Sequence, residues 1–408
     1  MKTSIYNIFF RGLTLVSKFI FIIFLGKYSI DETNLGVFGL LSTSIAFLIY
    51  IIGFDFYVFN TREIIASKIN LVEKIKNQLV FHLSTYLIII PISLLIVFNL
   101  NFIPIRYLWL FLALLISEHL GQELYRLFTT LEKSKIANIM LFIRSGLWIW
   151  VVIFDFFILK NQIDLYRYIV IWALFSYLSF LLFFILTIKS IGITKIKYST
   201  PDWKWILSGL KTASVFFIGS LSFQVIQLSD RFMIDFFYGK KLVGIYTAYA
   251  QFTNAIDVFT FSAITMVAYP NLLSSFNDKK NYAIIKNKFS KNLLIASITL
   301  IALTSIIGPY IFKFLDKKAF LDELPTFYIL LTSAFILIMS NVYHYDLYVK
   351  KKDKTILKIA LLGMVINIIL NLFLIPKYNI FGASIATLIS FIIIFVLKFY
   401  NSKKILTK

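Results

Sequence analysis

The chain has 408 residues, is 59% hydrophobic with a mean hydropathy of +0.84, and contains no cysteine. Apolar runs near 20 residues recur from end to end, each long enough to cross a hydrocarbon core of about 30 Å, which excludes an ordinary soluble domain. The net charge of +21 would suit nucleic acid, but the Lys residues lie in short loops between apolar runs, so a nucleic-acid partner is rejected; the missing cysteines exclude a thiolate metal site.

The periodicity predicts twelve spans, roughly 5–26, 36–57, 78–99, 106–128, 135–157, 166–188, 206–237, 242–272, 290–314, 325–347, 355–376 and 380–401. The first is not a cleaved leader, because Arg11 and Lys18 interrupt it and no small-residue cleavage site follows. The longest polar connections are Thr61–Asn77, Lys189–Lys204 and Ser274–Lys291, too short for a soluble domain. With both termini placed inside, about 26 of the Lys and Arg residues fall on the cytoplasmic side and about 10 outside. The cluster Lys350, Lys351, Lys352 and Lys354 contributes most visibly to that bias.

The two halves look alike. "NLGVFGLLSTSIAFLI" from Asn34 resembles "KLVGIYTAYAQFTNAI" from Lys241, which aligns Gly36 with Gly244. "EKSKIANIMLFIRSGLWIW" from Glu132 resembles "KKDKTILKIALLGMVINII" from Lys351, which aligns Lys133 and Lys135 with Lys352 and Lys354. The expected architecture is therefore an all-α integral membrane protein. Twelve transmembrane helices form two parallel six-helix pseudo-repeats, 1–195 and 196–408, around a central cavity. The boundary falls in the basic loop before Trp203 and Trp205, two interface anchors.

Five cations lie inside predicted spans: Arg11, Lys18, Arg144, Lys211 and Arg231. A charge at bilayer depth costs at least ~2.5–3.5 kcal/mol on insertion scales, so together they point to an anionic ligand. Arg11 and Lys18, seven residues apart, share one helical face and suit a ligand with several negative charges, such as a diphosphate. Snorkelling of Arg11 to the surface is the alternative. In the fourth span His119, Glu123 and Arg126 share a stripe beside Glu118, read either as an internal ion pair or as a wall with an exchangeable proton. His-x3-Glu alone supplies too few ligands for a metal, so no metal site is expected. Asp230 and Arg231, being adjacent, point to different sides, one into a cavity and one toward a neighbour. Gln251, Asn254 and Asp257 form a polar stripe in the eighth span; Asn341, His344 and Asp346 add polar groups to the tenth. Asp257, Asp230, Glu118 and Glu123 are the acids available for ion coupling, with Asp257 preferred because no cation adjoins it in sequence. No phosphate-cradling Gly-rich loop, nucleophilic triad or HExxH appears, so neither an enzyme nor a bound cofactor is expected.

The segment "SDRFMIDFFYGKKLVGIYTAYAQF" (Ser229–Phe252) resembles the seventh-to-eighth-helix signature of polysaccharide-transport flippases. "MVAYPNLLSSF" (Met266–Phe276) is similar to the end of the eighth helix there. "NIILNLFLIPKYNIFGASIATLIS" (Asn367–Ser390) is similar to the connection between the last two helices, with Pro376 and Gly382 at its turn. "GKYSIDETNLGVFGL" resembles the first external loop. These are the Wzx-type O-antigen and capsule repeat-unit flippases, within the multidrug/oligosaccharidyl-lipid/polysaccharide (MATE-like) exporter superfamily. The resemblance implies a two-lobed fold that works by alternating access in the bacterial inner membrane. Its cargo would be an undecaprenyl-diphosphate-linked oligosaccharide moved from the inner to the outer leaflet, with a polysaccharide polymerase and chain-length proteins as partners. It implies that the cationic set faces the diphosphate; where the family is richer in Arg, this chain has Lys18 and Lys211, which bind an anion less directionally. A drug/cation antiporter and a membrane polysaccharide polymerase are the other two readings. A cationic interior counts against the first, and external loops of about 5–15 residues count against the second.

Orientation is directly testable. Reporter fusions after Lys354 and after Lys318 are expected to report opposite sides of the membrane; same-side signals would contradict the twelve-span topology.

Overall fold

The computed structural model describes residues 2–67, 69–191 and 200–406, and these are helical with no strand among them. In chain order the helices are α1 (Lys2–Tyr28), α2 (Thr33–Gly53), α3 (Phe56–Ala66), α4 (Leu71–Asn99), α5 (Leu108–Thr130), α6 (Ser134–Phe142), α7 (Trp148–Phe157) and α8 (Leu165–Ile191). There follow α9 (Trp203–Tyr238), α10 (Lys240–Thr260), α11 (Met266–Ser274), α12 (Lys279–Phe314), α13 (Lys318–Asp322), α14 (Leu324–Val349) and α15 (Asp353–Leu406). Single π-helical turns, Ile143–Leu147 and Phe261–Thr265, join α6 to α7 and α10 to α11.

Ten helical stretches among the described residues are long and apolar enough to cross a membrane. The difference from twelve has two sources. The 23 residues of α5 carry Glu118, Glu123 and Arg126, which lowers their hydropathy. The 54 residues of α15 contain a break at Tyr378 and Asn379, where Asn379 adopts φ 47° and its Oδ1 accepts from the Phe381 amide at 3.1 Å. The chain thus turns between Pro376 and Gly382, where the sequence places a turn.

Two local expectations are corrected. The second span ends at Gly53, short of Tyr57, because Phe54 and Asp55 take left-handed backbone conformations with φ 50° and 49°. The connection after it is not a plain loop, since α3 occupies residues 56–66 and buries Phe56, Phe59 and Ile64. The connection before the ninth span is likewise mostly helix. α12 begins at Lys279, capped by Asp278, whose carboxylate accepts from the Lys280 and Asn281 amides. The expected half boundary at 195/196 lies outside the described residues.

The chain divides into two compact units. One comprises residues 1–24 and 40–221, the other 25–39 and 222–408. In the first, Phe56, Phe59, Phe81 and Ile206 pack α3, α4 and the start of α9 together, with Phe56 stacked on Phe81 at 4.4 Å. In the second, Tyr249, Phe252, Phe312, Phe320 and Phe327 interlock α10, α12, α13 and α14. The Tyr249 hydroxyl donates to the Phe320 carbonyl. A further cluster, built on Ile226, Leu337, Ile359, Phe391 and Ile394, binds α9, α14 and α15.

The tightest crossing in the second unit joins the starts of α2 and α10. A Cβ on Gly36 would lie 1.9 Å from the Lys240 carbonyl oxygen. A Cβ on Gly244 would lie 2.3 Å from the Glu32 carbonyl oxygen and 3.1 Å from the Gly36 nitrogen. The two glycines that sequence comparison of the halves aligns therefore meet each other, and only small residues permit such backbone approach. Polar clamps flank the crossing: Lys241 pairs with Asp31 at 3.2 Å, and Lys317 Nζ donates to the Ser29 carbonyl at 2.9 Å. The Thr33 amide and Lys241 hold the Asp31 carboxyl below its ordinary range against partial desolvation.

This crossing predicts an asymmetric glycine scan. Gly36→Ala should lower thermal stability by about 1–3 kcal/mol or abolish monodisperse protein, because overpacking must displace backbone. Gly12→Ala, with nothing within 4 Å of its Cβ, should be neutral or slightly stabilising. Unfolding curves of both variants in detergent check this; equal tolerance would contradict the close crossing.

Candidate functional site

Each unit buries a polar centre. In the first unit α5 supplies two ion pairs on different faces. Glu118 Oε2 lies 3.2 Å from Arg144 Nε, and its Oε1 accepts from the indole of Trp172 at 3.0 Å. Arg144 also donates to the Glu118 carbonyl at 3.1 Å and to Gln122 Oε1 at 3.0 Å. The π-turn between α6 and α7 carries Arg144, and Gly121 makes room for it: a Cβ there would sit 2.7 Å from Nη1. Lys18 is exposed at the surface of the protein and lies within electrostatic range of both Glu118 and Arg144.

The second pair on α5 is Glu123 with Arg126, one helical turn apart. The Arg126 guanidinium lies over the Tyr57 ring at 3.7 Å. From α4, Gln78 donates to Glu123 Oε2 at 2.7 Å, and His82 Nε2 stands 3.6 Å from the same oxygen. The third member of the predicted stripe, His119, is fully buried and shares its Nδ1 with the Tyr86 hydroxyl at 2.6 Å.

The second unit holds a cavity of about 50 Å³ lined by Asp230, Arg231, Tyr246, Asn254, Asp257 and Thr387, with apolar walls. Asp230 is buried and saturated. Its carboxylate accepts from the Tyr246 hydroxyl, from Asn371 Nδ2 at 2.9 Å and from Thr387 Oγ1 at 3.1 Å. Arg231 donates to the Gln227 carbonyl at 2.9 Å and lies 5.7 Å from the centre of the Tyr246 ring. Asp257 is half-buried, and its carboxylate has no hydrogen-bond or ion-pair partner among the described residues.

The sequence-predicted cations therefore do not form one free set. Arg144 is neutralised by Glu118. Arg11 is held by Asn138 Oδ1 at 2.9 Å and the Tyr125 hydroxyl at 2.5 Å, which favours a packing role over snorkelling. Lys18 and Lys211 are accessible, and Arg231 faces the cavity of the second unit. The expectation that Asp230 and Arg231 diverge is corrected: both border the same cavity, because its wall wraps around α9 and is shared with α10, α14 and α15. Asp346 in α14 is a saturated contact, bound by Lys286 at 2.8 Å, by Lys350, and by the hydroxyls of Tyr282 and Ser402.

Sequence reasoning missed Tyr246, Asn371 and Thr387 around Asp230, and Gln78 and His82 beside Glu123. Asn367 and Asn371, four apart in an otherwise apolar run, were a legible signal; Asn371 Nδ2 lies 3.1 Å from Asn367 Oδ1. Gln78 and His82 were a similar signal, four apart on α4 and 3.3 Å from each other, but Glu123 comes to them from another helix.

With this geometry in hand, comparisons place the chain. A family model described as polysaccharide biosynthesis protein matches residues 1–276. No curated protein matches significantly. Among solved structures, the lipid II flippase MurJ in an inward closed conformation superposes with a TM-score of 0.76 at 18% identity, over 98% of this chain and 87% of that one. A multidrug resistance MATE family transporter of the MOP superfamily, inward-facing, gives 0.72 at 11% identity over 99% and 98%. Its outward-facing counterpart gives 0.66 at 14% identity over 99% and 94%. At these identities the likeness establishes the helical fold. The chain is a multi-pass helical membrane protein of that fold, and it belongs to the polysaccharide biosynthesis protein family.

Proposed function

We propose that this protein is a flippase for polyprenyl-diphosphate-linked oligosaccharide, with undecaprenyl as the lipid. It moves repeat units from the inner to the outer leaflet of a bacterial cytoplasmic membrane by alternating access. The match of residues 1–276 to the polysaccharide biosynthesis family carries this reading. The fold it shares with a lipid II flippase supports it, since that neighbour's cargo is also a lipid-linked saccharide. Both termini are cytoplasmic on this reading, and the exported units feed a polysaccharide polymerase and its chain-length partners.

The cargo's diphosphate needs positive charge that is not already neutralised. Lys18 in the first unit and Arg231 in the second meet that requirement better than Arg144, whose charge is balanced by Glu118. Lys211, accessible on α9, and Arg11 complete the cationic set. Ion coupling is assigned to Asp257 ahead of Asp230, Glu118 and Glu123, because those three carboxylates are already engaged. A group that exchanges an ion during a cycle must be able to lose it, and a carboxylate with no other partner does so at least expense.

Reconstitution into liposomes with a fluorescent lipid-linked oligosaccharide, read by leaflet exposure, tests the reading. Lys18→Ala and Arg231→Ala should each slow flipping at least tenfold while the protein remains folded, and Lys18→Arg should retain more activity than Lys18→Ala. Normal flipping in both alanine variants would remove the cationic site. Absence of leaflet exposure by the parent protein would remove the flippase reading itself.

Coupling is tested separately by an imposed pH gradient. Asp257→Asn keeps size and most hydrogen-bonding capacity but loses the titratable charge. It should flip at a rate that no longer responds to the gradient, with unfolding temperature unchanged. An intact response would exclude Asp257.

A further inference from the structure

The polar centre of the first unit contains a donor set that neither the cargo nor ion coupling at Asp257 uses. We propose that His82, His119 and Glu123 bind a divalent transition metal of the zinc class, clamping α4 to α5. One ligand atom from each residue lies within 4.8 Å of the other two, and all three side chains are buried. Their imidazole rings meet edge to face at 4.7 Å between centroids. On α5 alone, His119 and Glu123 offer two ligands; the fold supplies the third from α4.

Three observations separate this site from an ordinary buried network. First, His119 Nε2 is fully buried and has no hydrogen-bond partner, whereas Nδ1 is engaged by the Tyr86 hydroxyl. A ring whose Nδ1–H donates to an outer partner presents its Nε2 lone pair, the usual arrangement at a metal-bound histidine. An imidazole nitrogen otherwise left bare in the interior loses the hydrogen bond it would make to water.

Second, the contacts around His82 accommodate an Nε2 lone pair, with its Nδ1 buried and without a partner among the described residues. The Gln78 carbonyl oxygen accepts from Asn60, so its amide nitrogen faces Glu123 Oε2 and His82 Nε2 at 2.7 and 3.3 Å. His82 Nε2 is then a lone pair, standing 3.6 Å from Glu123 Oε2. Tetrahedral zinc with bonds near 2.0 Å sets its ligands about 3.3 Å apart, so this edge is nearly at its bound length.

Third, space remains beside the unpaired nitrogen. Gly53 ends α2 there, and a Cβ on it would lie 3.5 Å from His119 Nε2, 3.6 Å from Glu123 Oε1 and 3.8 Å from Arg126 Nη1. Arg126 is the obvious opponent of a dication. Its charge is shared among Glu123, the Tyr57 ring and Asp55, which leaves the neighbourhood with two carboxylates against one guanidinium. Two imidazoles and a carboxylate are a borderline-soft set that favours zinc, cobalt or nickel over magnesium or calcium. Three protein ligands leave a fourth position open.

The test uses the untagged full chain in detergent, titrated with Co²⁺ and read by its visible ligand-field absorption. One Co²⁺ per chain is expected, displaced by Zn²⁺ and not by Mg²⁺. His82→Gln and His119→Gln should each weaken binding more than tenfold. Tyr86→Phe should weaken it about tenfold by releasing the His119 tautomer. His344→Gln, the third histidine of the chain, should leave it unchanged. X-ray absorption on the zinc-loaded parent, which needs no variant to fold, should show two imidazoles and an oxygen. Absence of stoichiometric Co²⁺ binding by the parent overturns the proposal. So does binding that survives both histidine substitutions, or a zinc shell without two imidazoles.

Discussion

A charge in hydrocarbon must find its counter-charge or its hydrogen bonds within the protein, and the interior of this molecule is organised around that requirement. Arg144 answers Glu118, Arg126 answers Glu123, and Lys286 with Lys350 answers Asp346. The Arg144 and Lys286 pairs bridge two helices directly, and the Glu123–Arg126 pair within α5 reaches α4 through Gln78 and α3 through the Tyr57 ring, so these contacts distinguish apolar faces that are otherwise alike. Leu and Ile pack well in many registers, and lipid tails solvate them nearly as well as protein does. Buried ion pairs and their hydrogen bonds discriminate between registers because removing one partner strands the other at a cost of several kcal/mol. Asp230 performs the same task without a cation at its carboxylate. Three donors from α10 and α15 converge on an acid from α9, so one side chain fixes three helices.

Close backbone approach is the complementary constraint. The Gly36–Gly244 crossing brings carbonyl oxygens of one helix to the space a side chain would fill on the other. The flanking clamps, Lys241 to Asp31 and Lys317 to the Ser29 carbonyl, fasten the short connection between α1 and α2 to α10 and to the residue before α13 within the second unit. Glycines aligned by internal resemblance turn out to be partners.

Against this background of satisfied charges, the groups that stay unsatisfied acquire meaning. Among the described residues the Asp257 carboxylate has no hydrogen-bond or ion-pair partner, beside a cavity whose other acid is saturated. Lys18 remains accessible next to a neutralised pair, and His119 Nε2 is buried without a partner, as are His82 Nδ1 and Asn60 Oδ1 of the same network. These exceptions are the groups on which the proposed cargo, coupling and metal sites rest.

The sequence by itself determined the membrane class, the positions of nearly all the long helices, and the turn between Pro376 and Gly382. These follow from hydropathy and from turn chemistry, which act over a few neighbouring residues. The stripe of His119, Glu123 and Arg126 was legible for the same reason, because helical spacing places i, i+4 and i+7 on one face. Resemblance over Ser229–Phe252 supplied the family, and the match over residues 1–276 agrees with it. Tertiary structure alone decided which charges are spent and which are free. Arg144 and Lys18 look equivalent along the chain, yet one is closed off by Glu118 and the other is not. Asp230 and Arg231 line a common cavity although adjacent residues point apart on an isolated helix. His82 joins His119 and Glu123 from a separate helix. Pairing of this kind depends on which helix faces stand together, a long-range outcome that local periodicity does not encode.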